Sequence, residues 1–217
     1  MAYPSPAFRE DRPDILHAAI RGLHFGLLIT QPAEGFATSY LPWELDAERG
    51  PRGTLVGHLA RYNPQWKVPD GGADALVVFQ GPHAYVSPSW YPGKREEPRQ
   101  VPTWDYLAVE ARGVLTAFDD DDRLYRLLTH LTDRNESGRE HRWRVTDAPD
   151  DYVRAEMRHV VGIELRIESL TGRYKLSQNR NAADQDGARA ALAAAPTERE
   201  RDLAKAIAKA RPDRRER

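Results

Sequence analysis

Short apolar runs separated by turn residues constrain the fold of this 217-residue chain more than any other feature. Turn signals such as Ala33-Glu34-Gly35 and Asp70-Gly71-Gly72 lie between the runs. Short strands separated by such turns predict an antiparallel barrel. The runs occupy residues 25–30, 36–41, 54–59, 75–79 and 104–114.

The stretch from residue 64 to residue 104 departs from this rhythm because it is rich in proline and tryptophan. Proline fixes its backbone angle and has no N–H to donate, so the stretch is predicted to run as shaped loops between short strands. Aromatic residues in rigid loops make good walls for a flat ligand. Loops that only pack against the barrel would have the same sequence, so both interpretations stay open.

Helices are predicted where apolar residues recur at helical spacing behind a start signal. Asp11 and Pro13 open the first, and the acidic residues 119–122 precede the second. Residues 162–170 alternate apolar and charged side chains, as a half-buried strand does. Further helices are predicted over 152–159, over 184–195, and from the cap Thr197 to about residue 209, ahead of a charged tail at 211–217.

The composition limits the function classes. Lys plus Arg number 32 against 33 Asp plus Glu, so the net charge of -1 does not favour a nucleic-acid partner. The absence of cysteine excludes disulfides, thiolate nucleophiles and cysteine-bound metal clusters. No apolar run approaches the ~20 residues that span a bilayer, and the first residues lack signal-peptide features, so no membrane contact and a cytoplasmic location are expected.

Few side chains mark a site by sequence alone. The seven histidines do not fall at metal-chelating spacings, but His58 and His83 each lie at the end of a predicted strand. A histidine satisfied by local hydrogen bonds would have the same sequence signature. Lys175, Ser177 and Gln178 follow another strand, which suits an anion or phosphate and equally suits a hydrogen-bonded turn.

Several unusual peptides, taken in order, resemble the PaiB family, whose members are described as FMN-binding negative transcriptional regulators. The resemblance extends to about residue 192. It rests on Tyr3-Pro4, Ser39-Tyr40-Leu41-Pro42, Gly57-His58-Leu59-Ala60-Arg61-Tyr62-Asn63-Pro64-Gln65-Trp66, Phe79-Gln80-Gly81-Pro82-His83-Ala84-Tyr85-Val86-Ser87-Pro88-Ser89-Trp90-Tyr91, Val101-Pro102-Thr103-Trp104-Asp105-Tyr106 and Tyr174-Lys175-Leu176-Ser177-Gln178-Asn179-Arg180.

This resemblance implies an α+β, mainly β fold: an antiparallel split β-barrel of the FMN-binding type with flanking helices, over residues 1–195, followed by a helical, charged tail at 196–217. It implies a homodimer with FMN or heme b between the subunits. The implied cofactor-binding residues are His58, Asn63, Trp66, His83, Tyr85, Ser87, Ser89, Trp90, Thr103, Trp104, Lys175, Ser177 and Gln178.

Three functions fit the resemblance: a flavin-binding regulator or reductase, a heme enzyme, and a non-catalytic module that sequesters a cofactor. The heme enzyme would be similar to the piperazate synthases, which close an N–N bond in an N-hydroxylated ornithine. Without cysteine, the iron ligand would be His, Tyr or Met, with His58 first and His83 second. Arg61 would then meet a substrate carboxylate, and Asp105 and Glu44 a substrate ammonium.

The sequence also departs from the PaiB pattern at four positions. Tyr40 stands where histidine is usual, and Glu44 where an apolar residue is usual. Asp105 replaces asparagine, and Tyr174 replaces tryptophan. A carboxylate repels an anionic phosphate, so Asp105 argues against ordinary FMN binding.

Overall fold

The computed structural model describes residues 5–210; Tyr3-Pro4 and the charged end at 211–217 lie outside the described residues. Within that range the chain forms eight strands and five helices. None of these helices has the length and apolar character to cross a membrane. The elements are β1 (Arg9–Glu10), α1 (Pro13–Leu23), β2 (Phe25–Thr30), β3 (Ala37–Pro42), β4 (Glu44–Asp46), β5 (Thr54–Ala60), β6 (Ala73–Val86), β7 (Thr103–Phe118), α2 (Asp121–Glu136), α3 (Asp150–Met157), β8 (Val160–Lys175), α4 (Ala182–Ala193) and α5 (Glu198–Lys209).

The strands form one sheet in the order β3, β2, β6, β7, β8, β5, β4, and β1 pairs with β8. The pairs β1–β8, β2–β3, β2–β6, β4–β5 and β5–β8 are antiparallel. In this register His58 of β5 lies opposite Gly162 of β8. The mainly β, antiparallel fold with flanking helices confirms the fold class predicted from the sequence.

The chain divides into two compact units. The central unit comprises residues 13–79 and 110–170, and the terminal unit comprises residues 1–12, 80–109 and 171–217. The strands β6, β7 and β8 each begin in one unit and end in the other. This division differs from the domain boundary at residue 195 that the sequence predicts. That boundary stays a prediction.

The central unit buries one face of α2 against α3. Leu124, Leu127, Leu131 and Met157 form this cluster, with Phe118 packed against it. The α2 helix begins where the acidic run predicts it, because the Asp120 carboxylate accepts a hydrogen bond from the Arg123 backbone at 2.6 Å.

The terminal unit has its own core, built around α4 and α5. These helices bury their apolar faces together with the end of β6 and the residue after β8. Gly187 of α4 allows the close contact, since a Cβ there would lie 2.1 Å from the Trp90 carbonyl oxygen. The buried members are Ala84, Val86, Tyr91, Leu176, Ala188, Leu192, Leu203, Ala204 and Ile207.

The largest difference from the sequence prediction concerns the proline-rich stretch. We predicted a loop at Pro82, but β6 runs without a break through Gly81 and Pro82 to Val86. Gly81 packs so closely on Leu107 that a Cβ would lie 2.8 Å from its side chain. Shaped segments do occur at three of the other prolines, as single 3-10 turns at Pro64–Trp66, Pro88–Trp90 and Pro92–Arg95.

Candidate functional site

An open groove of about 510 Å³ lies in the central unit and contains His58. We call it the His58 groove. Most of its residues come from β3 and the end of β5, and His58 is the one ionisable group among them other than the Tyr40 phenol. The lining residues are Thr38, Ser39, Tyr40, Leu41, Pro42, His58, Leu59, Ala60, Asn63 and Val160.

Gly57 sets the distance between the two walls of the groove. A Cβ at this position would lie 2.9 Å from Leu41 Cδ1 and 3.2 Å from the carbonyl oxygen of Pro42. Leu41 and Pro42 both line the groove. A glycine is therefore needed directly before His58 for β3 and its neighbouring loop to pack this closely against β5.

His58 presents an imidazole without an internal partner. Its Nδ1 atom is buried and has no hydrogen-bond partner in residues 5–210. Burial lowers the pKa of His58 from its ordinary value of 6.5, because the charged ring is poorly solvated there. The ring is neutral at pH 7 and carries one N–H and one lone pair. A buried nitrogen left without a partner costs about 1–3 kcal/mol, so a ligand contact would recover stability.

The polar wall of the groove is a chain of amide and hydroxyl groups. Asn63 Nδ2 donates to Ser39 Oγ at 2.8 Å, and Ser39 Oγ donates to Gln65 Oε1 at 2.6 Å. The Gln65 amide in turn donates to Thr30 Oγ1 and to the Ala37 carbonyl. Because Gln65 is buried and its contacts cross three segments, it fixes the positions of Asn63 and Ser39.

An aromatic pair forms the edge of the groove. Tyr40 lines the groove and stacks on Phe25, with ring centroids 6.4 Å apart and planes 15° from parallel. Both rings remain exposed, Tyr40 to 68% and Phe25 to 55%. Exposed, nearly parallel rings provide a flat surface for a planar ligand.

Arg61 and Trp66 are held by other parts of the central unit. The Arg61 guanidinium donates to the Arg158 and Val160 carbonyls and forms a bidentate pair with Asp119. Trp66 Nε1 donates to the Arg61 carbonyl at 2.9 Å. These contacts use four donations from the guanidinium within the chain, so Arg61 acts in this structure as a clamp between β5 and β8.

His83 lies in the terminal unit. Its ring centroid is 5.9 Å from that of Trp104, at an interplanar angle of 34°. Its Nδ1 is buried without a hydrogen-bond partner in the described chain. Burial, and then the positive charge of Arg199, lower the pKa of His83. Tyr85 on the same strand is 47% exposed.

The remaining predicted contacts of the terminal unit are mostly local. Ser87 Oγ and Ser89 Oγ lie 2.7 Å apart, and Ser87 Oγ caps the following turn. Trp90 packs against the core of α4 and α5. Gln178 Oε1 accepts from the Leu176 backbone at 2.7 Å. These groups make contacts within the terminal unit. Loops that only pack against the barrel would show the same contacts.

Lys175 is the centre of a charged cluster in the terminal unit. Its ammonium donates to Thr103 Oγ1, to the Trp104 carbonyl at 2.6 Å and to Asp105 Oδ1 at 3.3 Å. The Phe8 ring centroid lies 5.9 Å from the same nitrogen. Three acceptors match the three N–H groups of the ammonium. We call these residues, together with Ser177, the Lys175 cluster.

Asp105 is the most deeply buried member of the cluster. It is 1% exposed and accepts a hydrogen bond from Ser177 Oγ. Burial raises the pKa of Asp105, and the Ser177 hydrogen bond and the Lys175 charge partly offset this effect. Ser177 adopts a left-handed backbone conformation, with φ of 59°, which costs a non-glycine residue on the order of 1–3 kcal/mol. The contacts around Asp105 therefore hold a strained residue in place.

The predicted site residues thus fall into two sets, one in each unit. The central unit holds His58, Arg61, Asn63 and Trp66, of which His58 and Asn63 line the groove. Sequence reasoning missed Ser39 and Gln65, although both belong to the peptides that carry the resemblance. The terminal unit holds His83, Tyr85, Ser87, Ser89, Trp90, Thr103, Trp104, Asp105, Lys175, Ser177 and Gln178.

Comparison with solved structures identifies the class of fold. The FAD and heme binding protein of Mycobacterium smegmatis matches with a TM-score of 0.56 at 15% identity, over 77% of this chain and 73% of that protein. The flavocytochrome Anf3 of Azotobacter vinelandii matches with a TM-score of 0.57 at 10% identity, over 77% of this chain and 69% of that protein. The chain has the split-barrel fold that these proteins share.

Sequence comparison identifies the family. Residues 2–169 match the family model described as "Putative FMN-binding domain", and the chain belongs to this family. The Bacillus subtilis protein "Protease synthase and sporulation protein PAI 2" is 34% identical over 160 residues, 74% of each chain. An uncharacterized protein of Aspergillus fumigatus is 31% identical over 83% of this chain and 82% of its own length. The resemblance to the PaiB family is confirmed.

Proposed function

We propose that this chain is a cofactor-binding split-barrel protein whose His58 groove holds heme b, with FMN as the second candidate. The observation that carries the proposal is the neutral His58 side chain, which lines an open groove and whose buried Nδ1 has no hydrogen-bond partner among the described residues. Neutral imidazole is a common axial ligand of heme iron. Bound heme would supply one-electron and oxygen chemistry.

The residues of the groove fit a heme in three respects. His58 supplies a nitrogen donor, and the chain has no cysteine that could replace it. Apolar side chains, including Leu41 and Leu59, line the groove and can contact a macrocycle. Tyr40 and Phe25 add a flat aromatic edge. Ser39 and Asn63 provide the polar contacts.

FMN remains the second candidate because the family description names it and because the aromatic pair would stack equally well on an isoalloxazine ring. Its phosphate fits the His58 groove less well, since the groove residues include no lysine or arginine. Both kinds of cofactor are named for proteins with this fold: FAD and heme in Mycobacterium smegmatis, and a flavocytochrome in Azotobacter vinelandii.

A homodimer is part of the proposal. The strand β3 ends the sheet order and pairs only with β2 in the described residues, so its outer edge offers unpaired backbone groups. Exposed aromatic residues lie next to this strand: Phe36 directly precedes it, Tyr40 belongs to it, and Phe25 stacks on Tyr40. Such a concentration of exposed apolar surface is typical of an interface. A second copy would cover it, and light scattering of the purified chain measures this directly.

The N–N bond-forming cyclase is less well supported. Its proposed substrate contacts were Asp105, Glu44 and Arg61, and each of these is paired within the chain. Glu44 forms an ion pair with Arg134 at 3.3 Å, Asp105 with Lys175, and Arg61 with Asp119. The cyclase and the regulatory role both stay predictions, and the net charge of -1 gives the latter no electrostatic support on DNA.

The decisive experiment is the visible spectrum of the purified protein before and after addition of hemin or FMN. We expect a Soret band that His58→Ala shifts or removes. His130→Ala is the matched control, because His130 lies exposed on α2 and outside the groove. A protein that binds neither hemin nor FMN would contradict the proposal, and flavin bands without a Soret band would select FMN.

A further inference from the structure

We propose that Asp105 is a specificity determinant that closes the Lys175 cluster to phosphate-bearing ligands. The inference concerns the terminal unit alone. It does not depend on what the His58 groove binds.

Without Asp105, the cluster has the composition of a phosphate site. The Lys175 ammonium contacts the Thr103 hydroxyl, and the Ser177 hydroxyl contacts the same Asp105 carboxylate as the ammonium. Charge-assisted hydrogen bonds from such groups hold phosphate oxygens. The Lys175 side chain is 23% exposed, so the cluster is not sealed from solvent. Thr103, Lys175 and Ser177 come from two chain segments that this unit brings together.

In this structure the Asp105 carboxylate makes the contacts that a bound phosphate would make. Its two carboxylate oxygens accept from different donors, Oδ1 from Lys175 and Oδ2 from Ser177. Its side chain is only 1% exposed, so the carboxylate lies behind the ammonium rather than in solvent. The Lys175–Asp105 pair has no net charge. An incoming phosphate would be repelled by the buried carboxylate and would find no uncompensated cation.

A second buried aspartate in the same unit shows that burial alone does not create this arrangement. Asp184 is 2% exposed, but its carboxylate accepts from the Gly93 backbone at 2.8 Å and from Asn181 Nδ2 at 2.9 Å. Its hydrogen bonds connect a turn to the start of α4. Asp184 is therefore a matched control for Asp105: equally buried, in the same unit, and bonded to uncharged groups.

The test is Asp105→Asn, probed with inorganic phosphate by isothermal titration calorimetry. Asparagine has nearly the same shape, can accept from Lys175 and can donate to Ser177, so the charge of the cluster changes by one while its hydrogen bonds persist. We expect phosphate to bind the variant at least ~10-fold more tightly than it binds the wild type, which corresponds to about 1.4 kcal/mol. The gain should shrink at high salt, because the attraction is electrostatic.

Two further variants decide what causes the gain. Asp184→Asn should leave phosphate binding unchanged, and Asp105→Asn combined with Lys175→Met should abolish the gain. The proposal is overturned if Asp105→Asn binds phosphate no better than the wild type, if the double variant keeps the gain, or if Asp184→Asn shows the same gain. If Asp105→Asn does not fold, Asp105→Ser is measured in its place and must show the gain.

Discussion

The Lys175 cluster of the terminal unit and the His58 groove of the central unit differ in how their buried polar groups are paired. In the terminal unit, the Lys175 cluster matches each donor of its ammonium with an acceptor and neutralises a buried carboxylate. In the central unit, His58 lines an open groove, and its buried Nδ1 has no hydrogen-bond partner in residues 5–210. A satisfied cluster stabilises a fold, whereas an unpaired buried group costs stability unless a ligand contacts it. The difference predicts that substitutions in the cluster affect stability and that substitutions in the groove affect binding.

The largest effect should come from breaking the ion pair of the cluster. Lys175→Met leaves Asp105 buried without its cation, and we expect it to lower the free energy of unfolding by about 3 kcal/mol. Urea denaturation measures the loss. Lys175→Met with Asp105→Leu should recover most of it, since both charges are then absent. A single variant as stable as the wild type would show that the cluster does not stabilise the fold.

A smaller effect is expected where the groove depends on backbone packing. Gly57→Ala places a Cβ against Leu41 and the Pro42 carbonyl, so we expect a loss of about 2 kcal/mol together with weaker cofactor binding. The control is Gly22→Ala, because a Cβ at Gly22 meets nothing within 4 Å. Thermal denaturation and hemin titration of both variants test this. Equal stability of the two variants would contradict the packing argument.

The elements with a regular hydrophobic period were predictable from sequence. The alternation of Ile163, Leu165 and Ile167 correctly predicted a half-buried strand, and all three are fully buried. The acidic run at 119–122 and the cap Thr197 correctly predicted where α2 and α5 begin. These signals are local, so neighbouring residues suffice to identify them.

Features that depend on distant partners could not be predicted. β6 continues through Pro82, because sheet pairing overrides the local preference of proline for a loop. The three-residue strand β4 is too short for a period. At the candidate site, the hydrogen bond between Lys175 and Asp105 joins residues that are 70 positions apart along the chain. No sequence pattern encodes such a pairing.

His58 offers the sharpest contrast with the cluster. Replacing it by phenylalanine removes the unpaired nitrogen and keeps an aromatic ring at the same position, so we expect His58→Phe to raise the stability of the cofactor-free chain by about 1 kcal/mol at pH 7. The same variant should lose the Soret band. A destabilised His58→Phe protein would mean that the histidine makes contacts that stabilise the fold.

The pH dependence of stability separates His58 from Asp105. The folded chain lowers the pKa of His58 below 6.5, so the unfolded chain binds the proton more readily, and stability falls as the pH drops below 6.5. The raised pKa of Asp105 has the opposite effect: the contribution of Asp105 to the free energy of unfolding falls as the pH rises above 3.8. His58→Phe should therefore reduce the loss of stability between pH 6.5 and 5. Denaturant titrations at several pH values measure it, and an unchanged pH profile would contradict the assignment.

The smallest change in stability should accompany a clear change in binding. Tyr40 is 68% exposed, so Tyr40→Ala should alter the free energy of unfolding by less than about 0.5 kcal/mol. Because the ring lines the groove, we expect the cofactor affinity to fall about 3- to 10-fold, the range of one aromatic contact. Tyr62→Ala is the control, since Tyr62 is 92% exposed and does not line the groove. If Tyr40→Ala binds hemin and FMN as the wild type does, the aromatic pair is not part of the site, and the groove would then depend on His58 and its polar wall alone.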